Sequence, residues 1–246
     1  MADSAKIAIV AALEREVRSL IKGWRRVERE FEGRRFTFFE RGQAVLVCGG
    51  IGANAARRAT ESAIALYQPD LMLSAGFAGA LDPALKVGEI FSPRRIIDAK
   101  DGSSVEMPTG YGVMVSTDVV AGAEQKLKLS ESYGAQAVDM EAASVARGAQ
   151  ARGVRFMAIK SISDEKDFAM PPMELFVDGN GQFRTLRFLA FASVRPQLWV
   201  RVLQLANNSA KASRALSAEL NRYLNTPKQA VEASARELHP ITKAVN

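Results

Sequence analysis

Apolar residues recur along this chain in two rhythms. Short, nearly continuous apolar runs such as "KIAIVAAL" alternate with stretches in which small or apolar side chains return every three or four positions. The first rhythm is that of strands buried on both faces, and the second that of helices packed along one stripe. The runs predict strands at 6–12, 26–31, 35–40 and 43–49. A helix follows over 53–67, with Ala56, Ala59, Ala63 and Leu66 on one face. Pro69 and Asp70 then open the strand "LMLSAG", and "VGEIFSPRRIIDA" and "GVMVS" read as further strands. The pattern continues with a helix near 121–133, a short strand at 136–139, a helix at 140–152 and the strand "RFMAIKSIS". Between Asp101 and Gly110 the Gly, Ser and Pro residues predict a loop or lid.

Alternating strands and helices of this kind imply an α/β sandwich with a largely parallel or mixed sheet, and ligands in such sheets collect at the carboxyl ends of the strands. Beyond Asp167 the character changes. "TLRFLAFA", "PQLWVRVLQLA" and "SRALSAELNRYL" follow, with Leu216, Leu220 and Leu224 at helical spacing, so this end is expected to be a helical appendage packed on the sheet. The division expected is a single domain over 1–226 and a C-terminal tail over 227–246.

Composition narrows the chemistry. The chain has 246 residues, enough for one domain with a sizeable core, and 48% of them are hydrophobic. Its one cysteine, Cys48, lies in the apolar run "AVLVCGG", so it reads as a packed thiol, and a reducing, cytoplasmic compartment is expected. Its one histidine, His239, stands in the polar C-terminal tail. Histidine triads and multi-cysteine metal sites are therefore not expected, and acid–base chemistry falls to carboxylates. No metal, cofactor or nucleic-acid partner is expected. The net charge of +6 is carried at one end, because residues 181–246 hold ten Lys/Arg against three Asp/Glu. A solvated helix face is the plain reading of that end. Peripheral contact with an anionic membrane is the sharper one.

Polar or glycine features mark five strand ends: "AALEREV" at 11–17, "GGIGANAA" at 49–56, "SAGFAGAL" at 74–81, "VDMEAA" at 138–143 and "SISDEKD" at 161–167. Each has an innocent reading. Asp139 is a good N-cap, Glu141 suits the positive end of a helix dipole, and the glycines suit tight turns.

Together, "IAIVAALEREV", "GGIGANAA", "SAGFAGALDPALKVGEI", "AVDMEAASVA" and "ISDEKDF" resemble the nucleosidase/phosphorylase family that cleaves N-ribosidic bonds, and within it the methylthioadenosine/S-adenosylhomocysteine nucleosidases. The resemblance spans roughly 6–98 and 112–167. It implies a nucleoside phosphorylase-like fold, a three-layer sandwich around a mixed, largely parallel sheet with the helical C-terminal appendage. It also implies a purine nucleoside substrate, adenine as the leaving base, and a homodimer. By the resemblance Asp164 is the general acid, with Ser163 positioning it, and Glu16 is the base that orients water. Met140 and Glu141 hold the ribose, while Gly79 and Ala78 let the ligand approach the backbone. The same chemistry is needed on first principles: a purine is a poor anion and leaves protonated, and a ribose gaining positive character calls for a carboxylate at its hydroxyls.

The chain departs from the family pattern at three places. Phe77 stands where those nucleosidases carry a small polar residue. Val119 and Val120 stand where an aromatic ring would stack on the purine, and the stretch between 98 and 112 is shorter. The segment "SDEKDFAMPP", the "GNGQF" turn and "RPQLWVRVLQLANNSAKASRAL" resemble the hopanoid-associated phosphorylase branch, which is linked to removal of adenine from an adenosylated polycyclic lipid. The nucleophile stays open at this level. Arg15 and Arg18 follow the first strand, where some phosphorylases keep a phosphate-binding arginine, while Glu16 favours water. A nucleoside-binding protein without turnover is the non-enzymatic alternative, against which the presence of all three carboxylates argues.

Overall fold

The structure, a computed structural model, describes residues 6–168, 173–179 and 181–226. Strand β1 (Ile7–Ala11) leads into α1 (Glu14–Ile21), and β2 (Arg25–Phe31), β3 (Arg34–Arg41) and β4 (Ala44–Cys48) form an antiparallel meander. Helix α2 (Ala53–Tyr67) precedes β5 (Leu71–Ala80), after which come β6 (Ile90–Phe91), β7 (Arg95–Asp98), β8 (Ser104–Glu106) and β9 (Val113–Ser116). The chain continues through α3 (Ala123–Tyr133), β10 (Ala137–Asp139), α4 (Ala142–Ala151) and β11 (Arg155–Asp164). A 3₁₀ turn at Met173–Phe176 then leads to α5 (Thr185–Ser193) and α6 (Pro196–Asn225).

The eleven strands among the described residues join one mixed sheet in which β2-β3-β4-β1-β5-β10-β9-β7-β8 lie side by side and β11 pairs with β5 and β6. The centre is parallel: β1 runs with β4 and β5, and β11 runs with β5 from Arg155 to Asp164. Side-chain alternation sorts this centre into two faces. Ile9, Ala11, Leu73 and Ala75 pack with Val17 and Leu20 of α1 and with Leu216 and Leu220 of α6. Ala8, Val10 and Met72 pack on the other face with Ala56 and Ala59 of α2 and Val145 and Ala149 of α4. The result is three layers, helix on sheet on helix. Each fully buried Leu contributes about 1.5–3 kcal/mol to holding them together. The small side chains of α2 and α4 let these helices close on one another: a Cβ at Gly148 would lie 2.8 Å from Thr60 Cγ2.

Four sequence expectations change. The strand begun by "LMLSAG" runs on to Ala80, carried by small residues that a strand buried on both faces accepts. The stretch 87–99 holds two strands, β6 and β7, with Pro93 in the break where it cannot donate to a ladder. The expected loop at 101–110 contains β8, which pairs antiparallel to β7. The two helical segments of the appendage form one 30-residue helix, α6, because neither Gly nor Pro interrupts 197–225. Its second half packs on α1 and β11, and its first half exposes Trp199, Val200 and Leu203. The expected tail at 227–246 lies outside the described residues.

Candidate active site

Three turns that leave the carboxyl ends of strands bring their side chains into one cavity of about 720 Å³. Glu16 enters from α1, just past β1. Met140 and Glu141 come from the junction of β10 and α4, and Ser163 and Asp164 from the end of β11. Phe77, Ala78 and Gly79 of β5 form the floor, and Val119 and Val120 border it ahead of α3.

Glu16 is buried, and its Oε2 has no hydrogen-bond partner. Burial and the neighbouring Glu141 push its pKa up to about 7, against the pull of Lys160 and Arg15. Gly76 of β5 lies against it, where an added Cβ would crowd Glu16 Oε2 at 3.0 Å. A buried carboxyl that titrates near neutrality, with an unengaged oxygen, can take or give a proton at physiological pH.

Asp139 and Glu141 divide their work. Asp139 Oδ2 accepts from the backbone N–H of Ala142 at 2.9 Å and pairs with Lys160 Nζ at 2.8 Å, and its Oδ1 accepts from the Ser116 hydroxyl. It thus caps α4 and is spent on holding the turn. Glu141 occupies the N-cap position of α4 but makes no side-chain cap bond there. Its Oε1 accepts instead from the backbone N–H of Gly52, at 2.8 Å. Burial, then Asp139, raises the Glu141 pKa to about 7, while Lys160 and the Gly52 bond oppose the rise.

Lys160 itself is fully buried on β11. Burial works against its charge, but Asp139, Glu141 and Glu16 outweigh burial and hold its pKa above the usual lysine value. It is the cation that lets three carboxylates sit together.

Asp164 is 3% exposed and bound on both oxygens. The Ser163 hydroxyl donates to its Oδ1 at 2.6 Å, and Lys126 of α3 forms an ion pair with its Oδ2. The ladder between β5 and β11 shifts register between Ile162 and Asp164, a bulge that re-aims the strand end at the cavity. Gly79 faces the same pair. A Cβ there would stand 2.9 Å from Asp164 Oδ2 and 3.1 Å from Lys126 Cε, so its missing side chain makes room for side chains. Ala78 presents its carbonyl to the Ser163 hydroxyl at 3.4 Å.

The outer wall is apolar and comes from the appendage, with Phe183, Phe188, Val202 and Leu205 lining it. Phe188 is buried between the rings of Phe176 and Phe183. Arg15 and Arg18 reach the rim, where the Arg15 guanidinium lies 5.0 Å from the Phe183 ring centroid. Cys48 packs against the core with its thiol pKa raised by burial, which suits no nucleophile.

Sequence reasoning did not single out the two buried lysines. Lys160 carried a signal, being the one charge inside the otherwise uncharged "FMAIKSIS". Lys126 carried none, because "AEQKLKLSESY" reads as a solvated helix face.

The sequence profile of the phosphorylase superfamily matches residues 6–112 and, overlapping it, 99–181. The 5'-methylthioadenosine/S-adenosylhomocysteine nucleosidase of Buchnera aphidicola is 25% identical over 199 residues, covering 66% of this chain and 85% of that protein. Among solved structures, the S-adenosylhomocysteine nucleosidase of Streptococcus pyogenes in complex with 5-methylthiotubericidin superposes with a TM-score of 0.68 at 18% identity, over 92% of this chain and 100% of the other. A futalosine hydrolase mutant of Helicobacter pylori gives 0.59 at 24% identity, over 66% and 89%. These two share the fold.

Proposed function

Because the chain belongs to the phosphorylase superfamily, we propose that its cavity hydrolyses the N-ribosidic bond of a 5'-substituted adenosine. Cleavage of the N-glycosidic bond of a purine nucleoside is the activity of this enzyme class, to which the nucleosidase relatives belong. The observation that carries the finer reading is the meeting of Glu16, Glu141 and Asp164 in one cavity, two of them held near pKa 7.

In this reading Asp164, oriented by Ser163, delivers a proton to the departing base. Glu16, with one oxygen unengaged, takes a proton from the attacking water. Glu141 accepts from the ribose hydroxyls while Met140 packs on the sugar, and the carboxylate charge gains value as the ring becomes cationic. Phe77, Ala78 and Gly79 line the base side, with Val120 in place of a stacking ring. Product analysis with adenosine, methylthioadenosine and adenosylhomocysteine, with and without phosphate, tests the reading. Free ribose products support hydrolysis, and ribose 1-phosphate products would replace water by phosphate.

One observation favours a second reading, in which the substrate is an adenosylated polycyclic lipid. The outer cavity wall is built by α5 and α6; α6 also exposes Trp199, Val200, Arg201 and Leu203, and α5 exposes Arg187. Such a surface suits contact with an anionic bilayer. No described helix is long and apolar enough to cross a membrane, so the contact would be peripheral.

A further inference from the structure

Lys126 is among the most buried side chains of the molecule. Its side chain is 1% exposed, and the Asp164 side chain that pairs with it is 5% exposed. The ammonium also donates to the backbone carbonyl of Glu165, at 2.7 Å. The Glu165 carboxylate turns away to Lys86, 3.1 Å distant, so among the described residues Asp164 is the acid partner of Lys126. Gly79 leaves the space in which the pair meets, and both partners line the cavity. Stability does not account for this arrangement. A buried ion pair is no better for folding than apolar side chains of the same volume, because each charge gives up its hydration.

We infer that Lys126 is the positioning residue of Asp164 and the store of the proton that Asp164 passes to the departing base. The inference rests on the N-ribosidic reading of the site. As the C1'–N bond breaks, its electron pair moves onto the purine. The Lys126 ammonium gives one proton to the Asp164 carboxylate, its N–H electron pair staying on Nζ, and the carboxyl so formed passes that proton to a purine nitrogen, which leaves Asp164 a carboxylate again. The neutral amine then regains a proton from water, which restores the starting state. The second bond, to the Glu165 carbonyl, keeps Nζ in place while its proton is away.

The test compares Lys126→Arg and Lys126→Met on two substrates, adenosine and 4-nitrophenyl β-D-riboside. The purine must be protonated as it leaves, whereas nitrophenolate leaves as a stable anion. Arginine keeps the charge but does not release its proton. Both variants are expected to lose about a hundredfold in kcat on the nucleoside, the scale of general-acid catalysis, and to cleave the nitrophenyl riboside near the wild-type rate. Should Lys126→Met fail to fold, Lys126→Arg alone carries the comparison. Wild-type turnover of adenosine by Lys126→Arg would overturn the proton store, and equal losses on both substrates would overturn any link to the leaving group. A wild-type protein that releases base from none of adenosine, methylthioadenosine and adenosylhomocysteine would instead overturn the N-ribosidic reading itself.

Discussion

The Glu141 carboxylate accepts a hydrogen bond from the backbone N–H of Gly52 at 2.8 Å, joining the start of α4 to the glycine turn before α2 across 89 positions of sequence. This bond fixes the carboxylate where it borders the cavity. Gly52 has φ +93°, in the region that disfavours any other residue, and its conformation aims that N–H.

Replacing Glu141 by Gln should therefore raise KM and lower kcat together, because a charged acceptor at the sugar hydroxyls is lost. Steady-state kinetics on ribosides and 2'-deoxyribosides check the contact. The loss is expected to be larger on ribosides, and equal losses would place Glu141 away from the sugar.

Asp164→Asn should cost at least about a hundredfold in turnover on purine nucleosides while leaving thermal unfolding cooperative. A variant that turns over at the wild-type rate would remove Asp164 from the chemistry.

Glu16 predicts a pH effect with a definite sign. Its pKa in the folded protein is about 7, raised from 4.5 by burial and then by Glu141. A carboxyl whose folded pKa is raised favours the folded state most below its unfolded value, and that contribution is lost as pH rises through about 7. Thermal unfolding between pH 5 and pH 8 should thus show wild-type stability falling with pH, and Glu16→Gln should flatten the fall. An unchanged slope in the variant would assign the titration elsewhere.

The three carboxylates were legible in the sequence because each follows directly on an apolar run, and strand ends are where an α/β sheet collects its ligands. By local pattern Asp139 and Glu141 both suit a helix start, and in the sequence only the family resemblance set Glu141 apart by placing it at the ribose. The physical ground for the division is Lys160 and Ser116, which arrive from other strands to engage Asp139. Lys126 was illegible for the same reason. Its neighbours in α3 are polar, and it is buried because its side chain reaches Asp164 and the Glu165 carbonyl at the end of β11. The three layers followed from periodicity, but β8 did not, because three residues are too few to show a period.

The exposed Trp199, Val200 and Leu203, with Arg184, Arg187 and Arg201, should bind anionic vesicles at low salt if the substrate is lipid-borne. Each basic side chain near such a surface contributes about 1 kcal/mol, screened beyond a Debye length of about 8 Å at physiological ionic strength. Co-sedimentation that falls with added salt is the expected result. Absence of binding at low salt would leave the water-soluble nucleoside as substrate.

The central claim is that Glu16, Glu141 and Asp164 form one N-ribosidic hydrolase site, and product analysis addresses it most directly. Purified protein incubated with methylthioadenosine in phosphate-free buffer should release free adenine and methylthioribose in equal amounts, and phosphate should leave both rate and products unchanged. Release of adenine only when phosphate is present, with the sugar recovered as its 1-phosphate, would contradict the hydrolytic assignment, and no release of base from any of the three adenosine substrates would contradict the site itself.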